Sequence, residues 1–184
     1  MSEKNGEITG FEVKAKGFLT EKGVEITERN SIDSLSSRGY GTSEKEIFRL
    51  SFYEALYLLN KELLEVIDEK KKPIGFQSLL QCYQSKDDNA WANYLVYRDL
   101  RTRGYVVREG FGGGIDFRIY ERGTYGKDTA QYLVLCIQEG KPLPIQDLIK
   151  ALQQCQSQKK ELAVAVMNRR GETVYYSVSP LTFK

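Results

Sequence analysis

The stretch most informative about chemistry runs from Tyr94 to Lys160. This segment carries Arg98, Arg101, Arg103, Arg108, Arg118 and Arg122, a tyrosine that closes a strand-like run, Tyr120, and the pair Lys159-Lys160 at the end of a helical stretch. Arginines of this kind can hold phosphate oxygens and so position a nucleic acid without reading its bases. They are equally ordinary surface charge, with Asp99, Glu109, Asp116 and Glu121 nearby as partners. A strand-end tyrosine is often a packing residue, and a helix-end lysine is often solvated. The chain has no histidine, the side chain whose unperturbed pKa lies closest to neutral pH. The run Gly110-Phe111-Gly112-Gly113-Gly114-Ile115-Asp116 lacks a Gly-Lys-Ser/Thr ending and does not open a helix. It therefore reads as a tight turn between strands, not a nucleotide loop. Cys82, Cys136 and Cys155 are odd in number, show no Cys-x-x-Cys spacing and sit in apolar or helical contexts. They read as buried reduced thiols, not as disulfides or zinc ligands. Neither a metal nor another cofactor is implied.

The elements that must position these residues follow from periodicity. In residues 1–30, Ile8, Phe11, Val13, Phe18, Val24 and Ile26 alternate with polar residues and predict short antiparallel strands. Residues 30–43, rich in Ser and Gly, predict a loop. Ser51-x-x-Glu54 is a capping box. From there Leu56, Leu59, Leu63 and Val66 predict a helix that runs to the Lys70-Lys71-Lys72-Pro73 stop. A second short helix follows over 74–85, with Phe76, Leu79, Leu80 and Tyr83 on one face. The polar break Lys86-Asp87-Asp88-Asn89 suggests a junction between an N-terminal domain, 1–86, and a C-terminal domain, 87–184.

A third helix is expected from Ala90 to Arg103, capped by Asp88 or Asn89, with Gly104 just beyond its end and Trp91, Tyr94 and Leu95 on its apolar face. Strands are expected over Tyr105–Arg108, Ile115–Glu121 and Ala130–Gln138, the last apolar enough to be buried on both faces. Pro144 opens a fourth helix as its first residue, with Ile145, Leu148, Ile149, Leu152 and Cys155 toward the core. Glu161–Asn168 and Thr173–Val178 complete the strands. The fold class is α/β: a small α+β N-terminal domain, then a C-terminal mixed sheet flanked by helices. The 184 residues carry a formal charge of only +2, so any nucleic-acid surface must come from local clustering. No apolar run approaches the ~18 residues of a membrane span, which suggests a soluble, cytoplasmic protein.

Four stretches together resemble the C-terminal half of a tRNA-splicing endonuclease (tRNA-intron lyase) subunit of the archaeal and eukaryotic type. They are Tyr97–Gly104, the hydrophobic Tyr105-Val106-Val107, the turn Gly112-Gly113-Gly114, and the strand Asp116-Phe117-Arg118-Ile119-Tyr120. The resemblance covers roughly residues 35–184 and implies a restriction-endonuclease-like C-terminal fold. It also implies metal-independent cleavage of precursor tRNA to a 2′,3′-cyclic phosphate, in which a Tyr, a His and a Lys serve the attacking 2′-hydroxyl, the leaving 5′-oxygen and the charged phosphorane. Tyr120 fits the Tyr and Lys160 fits the Lys, but the His position holds Thr129. A threonine hydroxyl neither gains nor loses a proton usefully at pH 7, and loss of one acid–base partner costs roughly 10²–10⁴-fold in rate. An Arg seven residues before the Lys, thought to hold an unpaired base in active members, is Gln153 here.

The resemblance therefore implies a structural subunit of an α2β2 assembly that works beside a catalytic subunit on precursor tRNA, with the arginines named above as candidate phosphate contacts. Two alternatives stay open: an active nuclease that uses Tyr120 and Lys160 without histidine, and a stand-alone RNA-binding module. Val174, Tyr176, Val178 and Leu181 would form an edge able to pair across a dimer, or a simple buried strand. The family's acidic docking loop corresponds to Asn168-Arg169-Arg170-Gly171-Glu172, which has one carboxylate.

Overall fold

A computed structural model describes residues 14–121 and 123–181. Two sheets and five helices make an α/β fold, as the periodicity predicts. The first sheet is built on the hairpin of β1 (Ala15–Thr20) and β2 (Gly23–Ile26). The expected strand residues Ile8, Phe11 and Val13 lie outside the described residues. Next come α1 (Arg29–Ser37), β3 (Thr42–Glu44), β4 (Ile47–Leu50), α2 (Phe52–Asn60), β5 (Leu64–Ile67), β6 (Pro73–Ile74) and α3 (Phe76–Gln84). The strand order is β3-β4-β2-β1-β5-β6, with β1 and β5 parallel.

Two expectations fail in this half. The stretch predicted as a loop is α1, because Leu35 is fully buried and anchors the turn. The helix then stops in a Schellman arrangement: Tyr40 N–H donates to Leu35 O at 3.0 Å, Gly39 N–H to Ser36 O at 2.9 Å, and Gly39 has φ +74°. The helix begun at Ser51 ends at Asn60, not at the lysine run. It too closes as a Schellman motif, since Leu63 N–H donates to Leu58 O at 2.9 Å and Glu62 sits at φ +60°. Beyond it Leu64 and Val66 are buried at alternate positions, so the chain continues as a strand.

The second sheet has the order β11-β10-β9-β8-β7. Its elements are α4 (Ala90–Thr102), β7 (Val106–Gly112), β8 (Ile115–Tyr120), β9 (Tyr132–Gln138), α5 (Ile145–Ser157), β10 (Glu161–Met167) and β11 (Thr173–Val178). The glycine run is the β7–β8 turn. Gly113 and Gly114 connect the paired Gly112 and Ile115 at φ +67° and +91°, a conformation open to glycine in a tight hairpin. β9 is central and buried on both faces: Val134 and Cys136 pack into the core shared with α4, Leu133 and Leu135 into the core under α5. Pro144 caps α5 one residue before its first turn, not as the first helical residue.

Two apolar faces differ from expectation. Trp91 is 40% exposed, while Ala90, Ala92 and Val96 take its place in the core. On α5 only Ala151 and Cys155 are buried, and Ile145 and Ile149 are 65% and 46% exposed. The larger core spans both halves of the chain. Tyr53 of α2 lies 4.9 Å from the Tyr97 ring of α4 and 5.1 Å from Phe117 of β8, the latter edge-on. The three cysteines are free thiols, two of them buried. No helix among the described residues is long and apolar enough to cross a membrane.

Candidate functional site

Tyr120, Thr129 and Lys160 converge on one end of the second sheet. Ile119 of β8 stands opposite Tyr132 of β9, and Tyr132 opposite Glu161 of β10. Tyr120 lies one residue beyond that row and Lys160 one residue before it, at the same strand ends. The segment leading into β9 passes between them: Gln131 N–H donates to Ile119 O at 3.1 Å and Glu161 N–H to Gln131 O at 3.2 Å. Two strand spacings, about 10 Å, separate the flanking backbones. Sequence positions forty residues apart are thus brought together by β8–β9 and β9–β10 pairing, with α5 making the return crossover between the two parallel strands.

Each side chain has a distinct setting. Tyr120 is half-buried, its ring packed edge-on against Tyr125 at 5.1 Å. Lys160 is placed by the end of α5, where its N–H donates to Cys155 O at 2.9 Å while Lys159 holds φ +54°. Its ammonium donates to the carbonyl of Ala130. Thr129 is exposed and lines an open hollow of about 530 Å³. Among the described residues that line the hollow, Glu121, Asp128 and Glu161 bring carboxylates and Lys159 alone brings a cation. The Lys160 ammonium adds a second cation at the Ala130 carbonyl on the wall of this hollow. Gln153 is exposed on α5. Sequence reasoning missed Tyr125, the Ala130 carbonyl and these carboxylates. The loop that delivers Tyr125 has no periodic signal, and a backbone carbonyl has no residue signature.

The candidate phosphate-contacting arginines separate into two groups. Arg101 is clamped over the Tyr40 ring, 3.9 Å from its centroid, and donates to Arg38 O at 3.1 Å and Tyr105 O at 3.4 Å. Arg108 donates to Gly39 O at 3.1 Å, Thr42 Oγ1 at 2.7 Å and the Glu54 carboxylate at 3.3 Å. Arg101 ties the end of α1 to α4, and Arg108 ties the segment after α1, and α2, to β7 of the second sheet. Arg98 is exposed beside Tyr94. Arg103 pairs with Asp99 at 2.8 Å, and Arg118 donates to the Glu109 carbonyl at 2.7 Å while lying over the Phe111 ring. Arg122 lies outside the described residues.

Two carboxyls are strongly perturbed. Burial raises Glu54, against the opposing pull of Arg108 and the Ser51 and Gly41 amides. Burial also pushes Asp116 up to about 6, although Cys136 N–H donates to it at 2.7 Å. Neither lines the hollow at Thr129. Among the described residues no group of three or more His, Cys, Asp or Glu is placed to hold a metal ion.

Comparison with known proteins decides the family. The tRNA intron endonuclease catalytic C-terminal domain model matches residues 90–176, and the N-terminal domain model of the same family matches residues 15–80. A tRNA-splicing endonuclease of Methanococcus maripaludis is 34% identical over 163 residues, 89% of this chain and 92% of that protein. The chain belongs to the tRNA intron endonuclease family. Two further tRNA-splicing endonucleases show the same extent of match. That of Methanothermobacter thermautotrophicus is 32% identical over 90% of this chain and 97% of its own length. That of Pyrococcus horikoshii is 30% identical over 90% of this chain and 96% of its own length. The family resemblance read from Tyr97–Tyr120 therefore extends through both halves of the chain.

Proposed function

We propose that this tRNA intron endonuclease family member is a structural subunit of a heteromeric tRNA-splicing endonuclease, assembled as α2β2 with a histidine-bearing catalytic subunit on precursor tRNA. The observation that carries the proposal is a family member without a single histidine. In the cleavage the family resemblance implies, the 2′-hydroxyl oxygen attacks phosphorus and the bond to the 5′-oxygen breaks. The hydroxyl proton must leave and the 5′-oxygen must gain one. Thr129, at the position the family resemblance gives to the histidine, has no accessible ionisation near neutral pH to move either proton.

A partner-facing surface is available in the same half. β11 is an edge strand whose Val174 and Tyr176 are 49% and 54% exposed. The preceding turn is closed on itself: Asn168 Nδ2 donates to the Glu172 carboxylate at 2.7 Å, and Asn168 Oδ1 accepts from the Arg170 and Glu172 amides. Docking in this reading uses the β11 edge.

The test mixes the purified chain with a histidine-bearing family subunit, in chelator, on an intron-containing precursor tRNA. Cutting is expected only from the mixture, together with a shared elution peak. The convergence of Tyr120 and Lys160 favours a second reading, an active chain that works without histidine. Cleavage by the chain alone, lost in Lys160→Ala, would establish that reading and displace the first.

A further inference from the structure

A second cavity opens one strand along from Tyr120. Its volume is about 240 Å³, and it lies where α1, α2 and α4 end against the start of β7. Val106, in its wall, stands directly opposite Tyr120 in the β7–β8 pair. The walls are the rings of Tyr40, Tyr57 and Tyr105 with Leu63 and Val106, and the charged residues are Arg38, Lys61 and Arg101. Among the described residues that line it, none carries a carboxylate. This is the reverse of the hollow at Thr129.

The cations have a structural duty, which the charge balance must include. Arg38 and Lys61 cap the C-terminal ends of α1 and α2, and α4 ends just before Gly104. A helix end carries about −0.5 of an elementary charge, so the α2 end offsets only about half of the Lys61 charge. The Arg101 guanidinium is also fixed in place by the Tyr40 ring and two backbone carbonyls, all of them neutral. Lys61 is exposed, and Tyr105 is half-buried with part of its surface open to solvent.

We propose that this cavity holds one unpaired nucleotide of the RNA substrate, with its base against Tyr105 and its phosphate at Lys61 and Arg101. Aromatic walls with cations at the mouth suit single-stranded nucleic acid, because every base offers a face for stacking. A cavity of this size admits one base and excludes a base pair. Its place beside Tyr120 puts the nucleotide next to the strand ends. The proposal rests on the RNA-handling function proposed above, and deepens it by assigning the RNA contact to a site outside the Tyr120–Thr129–Lys160 group.

Fluorescence anisotropy of the full chain with a labelled single-stranded oligouridylate tests it. Tyr105→Ala is expected to weaken binding about tenfold, since base–aromatic stacking is worth about 1–3 kcal/mol per base. Tyr105→Phe is expected to stay within about twofold, because it keeps the ring. Lys61→Glu is expected to weaken binding about fivefold or more and to lower the salt slope by about 0.7, one phosphate contact on a single strand. The control Lys86→Glu makes the same charge change at the exposed break before α4 and is expected to change binding by less than about twofold. Absent wild-type binding, or equal binding by Tyr105→Ala, Lys61→Glu and wild type, would overturn the pocket. Neither result bears on the structural-subunit reading, which stands or falls on cleavage by the mixture with a histidine-bearing subunit.

Discussion

Arg108 and Glu54 form a buried ion pair between the two halves of the chain. Glu54 is almost wholly buried, and Arg108 is the charged group 3.3 Å away. Removing one member of a buried pair leaves the other charge uncompensated, at about 3–5 kcal/mol. Arg108→Ala is therefore expected to lower the unfolding free energy by that order in urea titration. Arg108→Lys should recover little, because a lysine lacks the fork that reaches Gly39 O, Thr42 and Glu54 together. Adding Glu54→Gln to Arg108→Ala should recover part of the loss. Asp116 gives a prediction of opposite sign. Its carboxyl titrates at about 6 when folded, against 3.8 ordinarily, because burial disfavours the charged form. Between these values the folded chain binds more protons than the unfolded one, so stability falls as pH rises from about 4 to about 6. Asp116→Asn, which can still accept the Cys136 amide, is expected to raise stability near pH 7 by on the order of 2 kcal/mol and to change it little below pH 4. Unfolding titrations at the two pH values measure both.

Helix ends show, at the scale of elements, where local sequence signals suffice and where they do not. Gly39 and Gly104 mark the ends of α1 and α4 because glycine enters the left-handed region without cost. Glu62 and Lys159 hold the equivalent positions after α2 and α5 at φ +60° and +54°, and neither residue type announces it. That is why the helix begun at Ser51 reads too long from its leucine spacing. Glu62→Gly is expected to stabilise the protein by about 0.5–1 kcal/mol in thermal or urea unfolding, by removing a strained Cβ. β9 was legible because a strand buried on both faces is apolar throughout. α1 was not, since one fully buried leucine in a serine-rich run gives no period. At the candidate site, Tyr120 and Lys160 were legible from strand-end and helix-end position together with the family resemblance. The interior duties of Arg101 and Arg108 were not, because Arg38 and Glu54, which they hold, lie 63 and 54 residues away in sequence. The carboxylate lining at Thr129 was hidden for the same reason: Glu121, Asp128 and Glu161 meet only when β8, β9 and β10 pair.

For the whole molecule, both family domains are matched, and the β11 edge of the second sheet leaves apolar side chains uncovered. Val174 and Tyr176 face the same side of the sheet as Val166 and Val164, their register partners, which pack toward α5. An assembly through this edge would bury them. If the proposed assembly uses this edge, Val174→Glu with Tyr176→Lys is expected to abolish co-elution with a histidine-bearing family subunit while leaving the thermal transition of the isolated chain within a few degrees, because both positions are exposed. The absence of histidine and the exposed Thr129 both bear on the central proposal, that this member of the family does not cut RNA unaided. The direct measurement is single-turnover cleavage of a bulge–helix–bulge RNA by the isolated chain, with chelator present. The expected result is no cleavage above the protein-free background. Accurate cutting at the intron boundaries by the chain alone, lost on Lys160→Ala, would contradict it.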